Sequence, residues 1–300
     1  MVHTCFRLAV PVDFNFGECL WFLDRGFDDC LYRVDKSGVT KLLELTAGLA
    51  LVRMEKEAGE LKVSVLNRSL SPEEVAELKR YLNDWFDLEL DLTPFYELIG
   101  RDPRLSFMKV DYFGLRLIGI PDLFEAICWA IIGQQINLTF AYKLKRKLVE
   151  RYGATLDFEN QRYFLFPKAE VLTNVLQEEL QTMQFSRSKA AYVLHIAAAF
   201  ANQTLSKAVL RAMPDLAARQ KALINVKGVG LWTANYALMK SLKERSCIPH
   251  GDAGLLNALV NLDLIQGKKD APEIEAFFSG FSEWESYLVF YLWRSLSKRV

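Results

Sequence analysis

Apolar residues between positions 6 and 67 fall in short alternating runs, FRLAVPVDF, CLYRV, TKLLELT, ALVRMEK and LKVSVLN, separated by turn signals such as Asp35-Lys36-Ser37-Gly38 and Ala58-Gly59. Side chains alternate between faces along a strand, so these runs predict an antiparallel sheet. From Ser71 the spacing becomes helical: Pro72 suits a first helical position, and Glu73 and Glu74 place negative charge in the first turn. With a boundary at residue 90, the rest predicts helix almost throughout. Residues 123–153 follow helical periods interrupted at 133–137, and further helices are predicted over 170–180, 186–201, 205–211, 214–223, 253–262 and 282–297. The expected class is α+β, a small strand-rich N-terminal domain (1–90) followed by an all-helical domain (91–300), with no internal repeat or low-complexity segment.

Composition narrows the function classes. Lys plus Arg and Asp plus Glu each number 37, a formal net charge of zero, which argues against coating nucleic acid by bulk electrostatics. Local patches remain open: Lys143, Lys145, Arg146, Lys147 and Arg151 lie close together, as do Arg294, Lys298 and Arg299. Each cluster is either a solvated helix face or a phosphate contact. Five scattered cysteines form no Cys-x-x-Cys pair and read as reduced thiols, not as ligands of a structural zinc or an iron–sulfur cluster. With no apolar span and no signal segment at the N-terminus, a cytoplasmic location is expected.

The chemistry concentrates in residues 223–252, LINVKGVGLWTANYALMKSLKERSCIPHGD. A helix, a Gly228-Val229-Gly230 turn and a second helix form a hairpin whose backbone N–H groups suit a phosphate. The loop that follows presents one carboxylate, Asp252, among Pro249, His250, Gly251, Ala253 and Gly254. Trp232 and Tyr236, four apart, share a helix face.

Four segments carry a resemblance: Phe124-Glu125-Ala126 with Ile131-Ile132-Gly133-Gln134-Gln135-Ile136; Phe166-Pro167; Val226-Lys227-Gly228-Val229-Gly230-Leu231-Trp232-Thr233-Ala234-Asn235-Tyr236; and Pro249-His250-Gly251-Asp252. In order and spacing they resemble the helix-hairpin-helix superfamily of DNA base-excision glycosylases, most closely the bacterial 3-methyladenine-DNA glycosylase II family. The match covers roughly residues 90–300; the N-terminal part is similar in position and texture only. Lys227 stands where the family usually has proline.

The resemblance implies a monomeric glycosylase that excises alkylated purines such as 3-methyladenine from damaged double-stranded DNA in base excision repair, with no organic cofactor. Asp252 is the implied catalytic carboxylate, stabilising an oxocarbenium-like transition state; a helix N-cap is its alternative role, and both can hold. Related enzymes that also nick the strand carry a lysine where this chain has Trp232, and an indole cannot form an imine, so a monofunctional enzyme is implied. Lys227 or Lys240 as the amine is a lesser alternative. Trp232, Tyr236 and Trp284 are implied to line the base pocket, against the reading that such aromatics are core. Gln135 is implied to fill the gap left by the flipped base, against the reading of a satisfied core amide. Lys227, Gly228, Gly230 and Thr233 complete the expected DNA contacts. Carbonyls of Ile224, Val226 and Val229 would hold a sodium or potassium ion. His195 is expected to have a local helix partner, neither it nor His250 is assigned to a metal, and Arg187 and Lys189 match a segment of structural weight. Two rival readings stay open, a glycosylase/lyase for another lesion such as 8-oxoguanine and a non-enzymatic DNA-binding module.

Overall fold

The computed structural model describes residues 4–267 and 271–297; Lys298 and Arg299 lie outside them. Five antiparallel strands, β1 (Thr4–Leu8), β2 (Tyr32–Val34), β3 (Gly38–Leu45), β4 (Gly48–Glu57) and β5 (Glu60–Val65), form a sheet of order β1-β5-β4-β3-β2. Each of the five alternating runs contributes one strand. Helix α1 (Phe16–Leu23) interrupts them and had no counterpart among the predicted elements; Phe16, Cys19 and Leu23, spaced three and four apart, turn inward while Asn15 caps its start. Helix α2 (Pro72–Phe86) starts as expected, with a reciprocal capping box between Ser71 and Glu74.

Helices α3 (Thr93–Arg101), α4 (Ser106–Asp111), α5 (Leu123–Gly133) and α6 (Leu138–Tyr152) follow, the last two separated where the apolar period broke. The second part is not wholly helical. Strands β6 (Thr155–Phe158) and β7 (Gln161–Phe164) form a hairpin across Glu159 and Asn160, both left-handed at φ 47° and 62°. Such a turn is normally signalled by Asn-Gly or Asp-Gly, and Glu-Asn hid it. The helix predicted over 170–180 is two pieces, α7 (Ala169–Leu172) and α8 (Gln177–Thr182). Then come α9 (Arg187–Ala201), α10 (Lys207–Arg211), α11 (Leu216–Ile224), α12 (Leu231–Ala237) with a π-helical continuation Leu238–Leu242, α13 (Ala253–Asn261), α14 (Ala271–Ser279) and α15 (Glu285–Ser295). No helix among the described residues is long and apolar enough to cross a membrane.

Hydrophobic packing runs continuously from the sheet into the helices. Ion pairs tie the two parts together: Arg294 to Glu18 at 2.7 Å, Arg116 to Asp13 at 2.5 Å, and Lys145 to Asp29 at 2.9 Å. Much of the basic material singled out in the sequence is consumed here. Lys145 also meets Glu125 at 3.3 Å, Arg146 pairs with Asp28 and Glu150, Lys147 reaches Gln184, and Arg294 is buried, so only Lys143 and Arg151 of those described stay exposed.

Candidate active site

Asp252 is the N-cap of α13, and its Oδ1 accepts the Leu255 backbone N–H at 2.7 Å. The same oxygen accepts the Trp293 indole N–H at 2.9 Å, while Oδ2 faces the Trp232 indole N–H at 3.4 Å. All three donors are neutral, so they orient the carboxylate without cancelling its charge. Capping and a presented anion therefore coexist in one side chain.

The aromatic cluster beside it is built on two helices. Trp232 and Tyr236 stack with centroids 5.6 Å apart and planes 22° from parallel, and Trp293 approaches Tyr236 at 6.2 Å. Trp284 is not part of this cluster: it is 7% exposed and packs on Phe95 and Tyr287, with Arg245 over its ring at 5.3 Å. Trp284 is the N-cap of α15, whereas Trp293 lies nine residues further, within the helix, and meets Asp252 and Tyr236 instead. Several aromatics along that segment gave no sequence signal to tell which indole joins the cluster beside Asp252.

The two hairpin glycines do different work. Gly228 is left-handed, φ 97°, and a Cβ there would lie 2.3 Å from the Tyr192 ring of α9. Gly230 has ordinary extended angles, φ −90° and ψ 176°, with nothing within 4 Å of a built Cβ. Among the described residues nothing packs against position 230, so the backbone there is open to approach. Gly228→Ala should cost about 1–3 kcal/mol of stability from strain and overlap. Gly230→Ala should leave the unfolding free energy within about 0.5 kcal/mol yet weaken duplex-DNA binding. Denaturant titration and fluorescence anisotropy check the pair, and equal stability losses would refute the distinction.

Lys227 is exposed at the turn, as a DNA contact requires. Thr233 is not available in that way: it is 1% exposed and its hydroxyl accepts Gln134 Nε2 at 3.0 Å. Gln134 also donates to the Gly228 carbonyl at 3.2 Å, so it is the satisfied amide of the Gln-Gln pair and ties α5 to the hairpin. Gln135 next to it is exposed and left-handed, φ 55°, an uncommon state for a non-glycine residue. Lys189 supports this corner by donating to the Ile132 carbonyl at 2.7 Å. His195 has its local partner, the Ala191 carbonyl at 2.5 Å.

Lys240 continues the Trp232–Tyr236 stripe but lies eight residues, about 12 Å, along the helix axis from Trp232. It is 2% exposed, donates to the Ile118 carbonyl, and sits between the Phe22 and Phe290 rings at 4.6 and 4.9 Å. Burial pushes its amine well below the ordinary lysine range, but its place in the core keeps it from the Asp252 carboxylate.

Residues 128–283, just over half of the chain, match the family described as HhH-GPD superfamily base excision DNA repair protein. The chain belongs to this HhH-GPD superfamily. Residues 32–127 match a second family, the 8-oxoguanine DNA glycosylase N-terminal domain. Among relatives, the chain is 36% identical to DNA-3-methyladenine glycosylase of Bacillus subtilis over 98% of both proteins. It is 27% identical to DNA-3-methyladenine glycosylase 2 of Escherichia coli over 60% of each. Its fold is shared with a 3-methyladenine DNA-glycosylase from Archaeoglobus fulgidus, TM-score 0.81 at 22% identity over 96% and 97% of the two chains. The 8-oxoguanine glycosylase/lyase of Clostridium acetobutylicum bound to duplex DNA superposes with TM-score 0.75 at 17% identity, covering 98% and 97%.

Proposed function

We propose that this HhH-GPD member is a monofunctional DNA glycosylase that acts as a cytoplasmic monomer, flips an alkylated purine such as 3-methyladenine out of damaged duplex DNA and hydrolyses its N-glycosidic bond. The observation that carries the proposal is the Asp252 carboxylate, fixed by two indoles at the edge of an aromatic cluster. Relatives named DNA-3-methyladenine glycosylase support the substrate class.

The chemistry follows from the groups present. An alkylated purine carries positive charge, which the electron-rich faces of Trp232, Tyr236 and Trp293 favour by roughly 0.5 to 2 kcal/mol. As the C1′–N bond breaks, its electron pair leaves with the base, which departs neutral, and positive charge grows on the sugar. Asp252 stabilises that charge and takes a proton from the attacking water as the water oxygen forms the new bond to C1′, then releases that proton to solvent. Trp232 stands where the resemblance would put a lyase's lysine, Lys240 is buried away from Asp252, and Lys227 lies in the turn, which supports release without an imine. Gly230 and Lys227 meet the phosphates while Gln135 enters the vacated stack. A sodium or potassium ion belongs to the same proposal: the Ile224, Val226 and Val229 carbonyls are hard neutral oxygens, and that of Val226 accepts the Val229 N–H at 3.0 Å while keeping a second lone pair.

Single-turnover assays on duplexes carrying 3-methyladenine or 7-methylguanine test the reading. Free base should appear with an intact, alkali-labile strand and no borohydride-trapped adduct. Trapping would establish a lyase instead, and binding without release would establish a DNA-binding module.

A further inference from the structure

Tyr236 is held from behind by residues outside the DNA-facing surface. The Trp129 indole N–H donates to the Tyr236 hydroxyl at 3.0 Å, and Trp129 packs on Tyr142 at 4.6 Å. Lys145 places its ammonium 5.3 Å from the centre of the Trp129 ring and is itself clamped by Asp29 and Glu125. Trp129, Tyr142, Tyr236 and Lys145 wall a cavity of about 50 Å³, together with Phe22 and Arg25 from the N-terminal part. A phenylalanine at 129 would keep an aromatic ring there, though a smaller one. The indole adds a donor, and that donor meets the one polar atom of the pocket's stacking ring.

Resting on the glycosylase reading above, we infer that Trp129 is a positioning residue: its indole N–H fixes the tilt of the Tyr236 ring against Trp232 and the flipped base, and the Asp29–Lys145–Glu125 cluster makes the N-terminal part a support of the base pocket. A ring free to rock by a fraction of an ångström stacks less well on a base that must be aligned with Asp252 and water. An abasic duplex has no base to stack, so its binding is independent of this contact.

The test is a double-mutant cycle with Trp129→Phe and Tyr236→Phe, each keeping a ring and removing one half of the hydrogen bond. Each single variant should slow single-turnover release of 7-methylguanine about 10-fold, and the double variant should be no slower than the slower single. Affinity for abasic duplex should stay within about two-fold of wild type. Wild-type release with an unchanged rate in Trp129→Phe overturns the inference alone, as do losses that multiply in the double variant. Equal loss of abasic-DNA affinity would show a merely structural role and also overturns it. If Trp129→Phe does not fold, Tyr236→Phe decides, because wild-type-like release from that variant removes the proposed contact. No release by wild type overturns the glycosylase reading and this inference with it.

Discussion

Asp252→Asn slows base release by at least about 100-fold, equivalent to roughly 2.7 kcal/mol of barrier, while duplex-DNA affinity holds or rises. Asparagine keeps an oxygen that can accept from the Leu255 N–H and the Trp293 indole, so the cap of α13 survives while the charge and the acceptor facing the Trp232 N–H are removed. The affinity term follows because a carboxylate near bound DNA repels phosphate. Asp252→Ala removes cap and charge together and should add about 0.5–2 kcal/mol of destabilisation, so comparing the two variants separates architecture from chemistry. Single-turnover kinetics and denaturant unfolding read both. Release by Asp252→Asn within a few-fold of wild type would sink the assignment of the carboxylate.

The second large effect belongs to stability. Lys145→Met should cost about 3–5 kcal/mol, because it strands the Asp29 and Glu125 carboxylates in a buried site. Burial by itself raises the Asp29 carboxyl, but the Lys145 ammonium outweighs it, and the group ends below the usual carboxylate range. A depressed pKa means that the native state binds fewer protons than the unfolded chain. The wild type therefore keeps this contribution above the unfolded carboxylate pKa near 4 and loses it on further acidification. In Lys145→Met the sign reverses: unpaired buried carboxylates rise, and the gap to wild type should narrow as pH falls from 7 toward 5. Urea titrations at the two pH values check this, and a gap that widens on acidification would contradict it. Adding Asp29→Asn and Glu125→Gln should recover part of the loss.

The five sheet strands, the start of α2 and the break between α5 and α6 were legible in the residues, because each rests on local signals: period-two alternation, a first-turn proline followed by acidic residues, an interrupted apolar period. The β6–β7 hairpin was not, since Glu159 and Asn160 adopt left-handed angles without the glycine that announces such a turn. Asp252, Trp232 and Tyr236 were identified from motif spacing, and the structure gathers them into one cluster. Trp284 and Thr233, expected in the base pocket and at the DNA, are buried against other parts of the fold, which the sequence could not show: it names their neighbours along the chain but not the segment packed against them.

By itself, then, the sequence determined the five strands of the main sheet, most of the helices, the α+β class, the helical hairpin and the residue types available for chemistry, because backbone propensity and motif spacing act over a few residues. Only the tertiary structure decided that Trp293 reaches Asp252, that Gln134 is satisfied while Gln135 stands free, that Gly228 must clear Tyr192, and that Lys145 is an internal counter-ion and not a phosphate contact. Each depends on which faces of distant segments meet, and burial and hydrogen-bond satisfaction settle that only when the whole chain has closed around them.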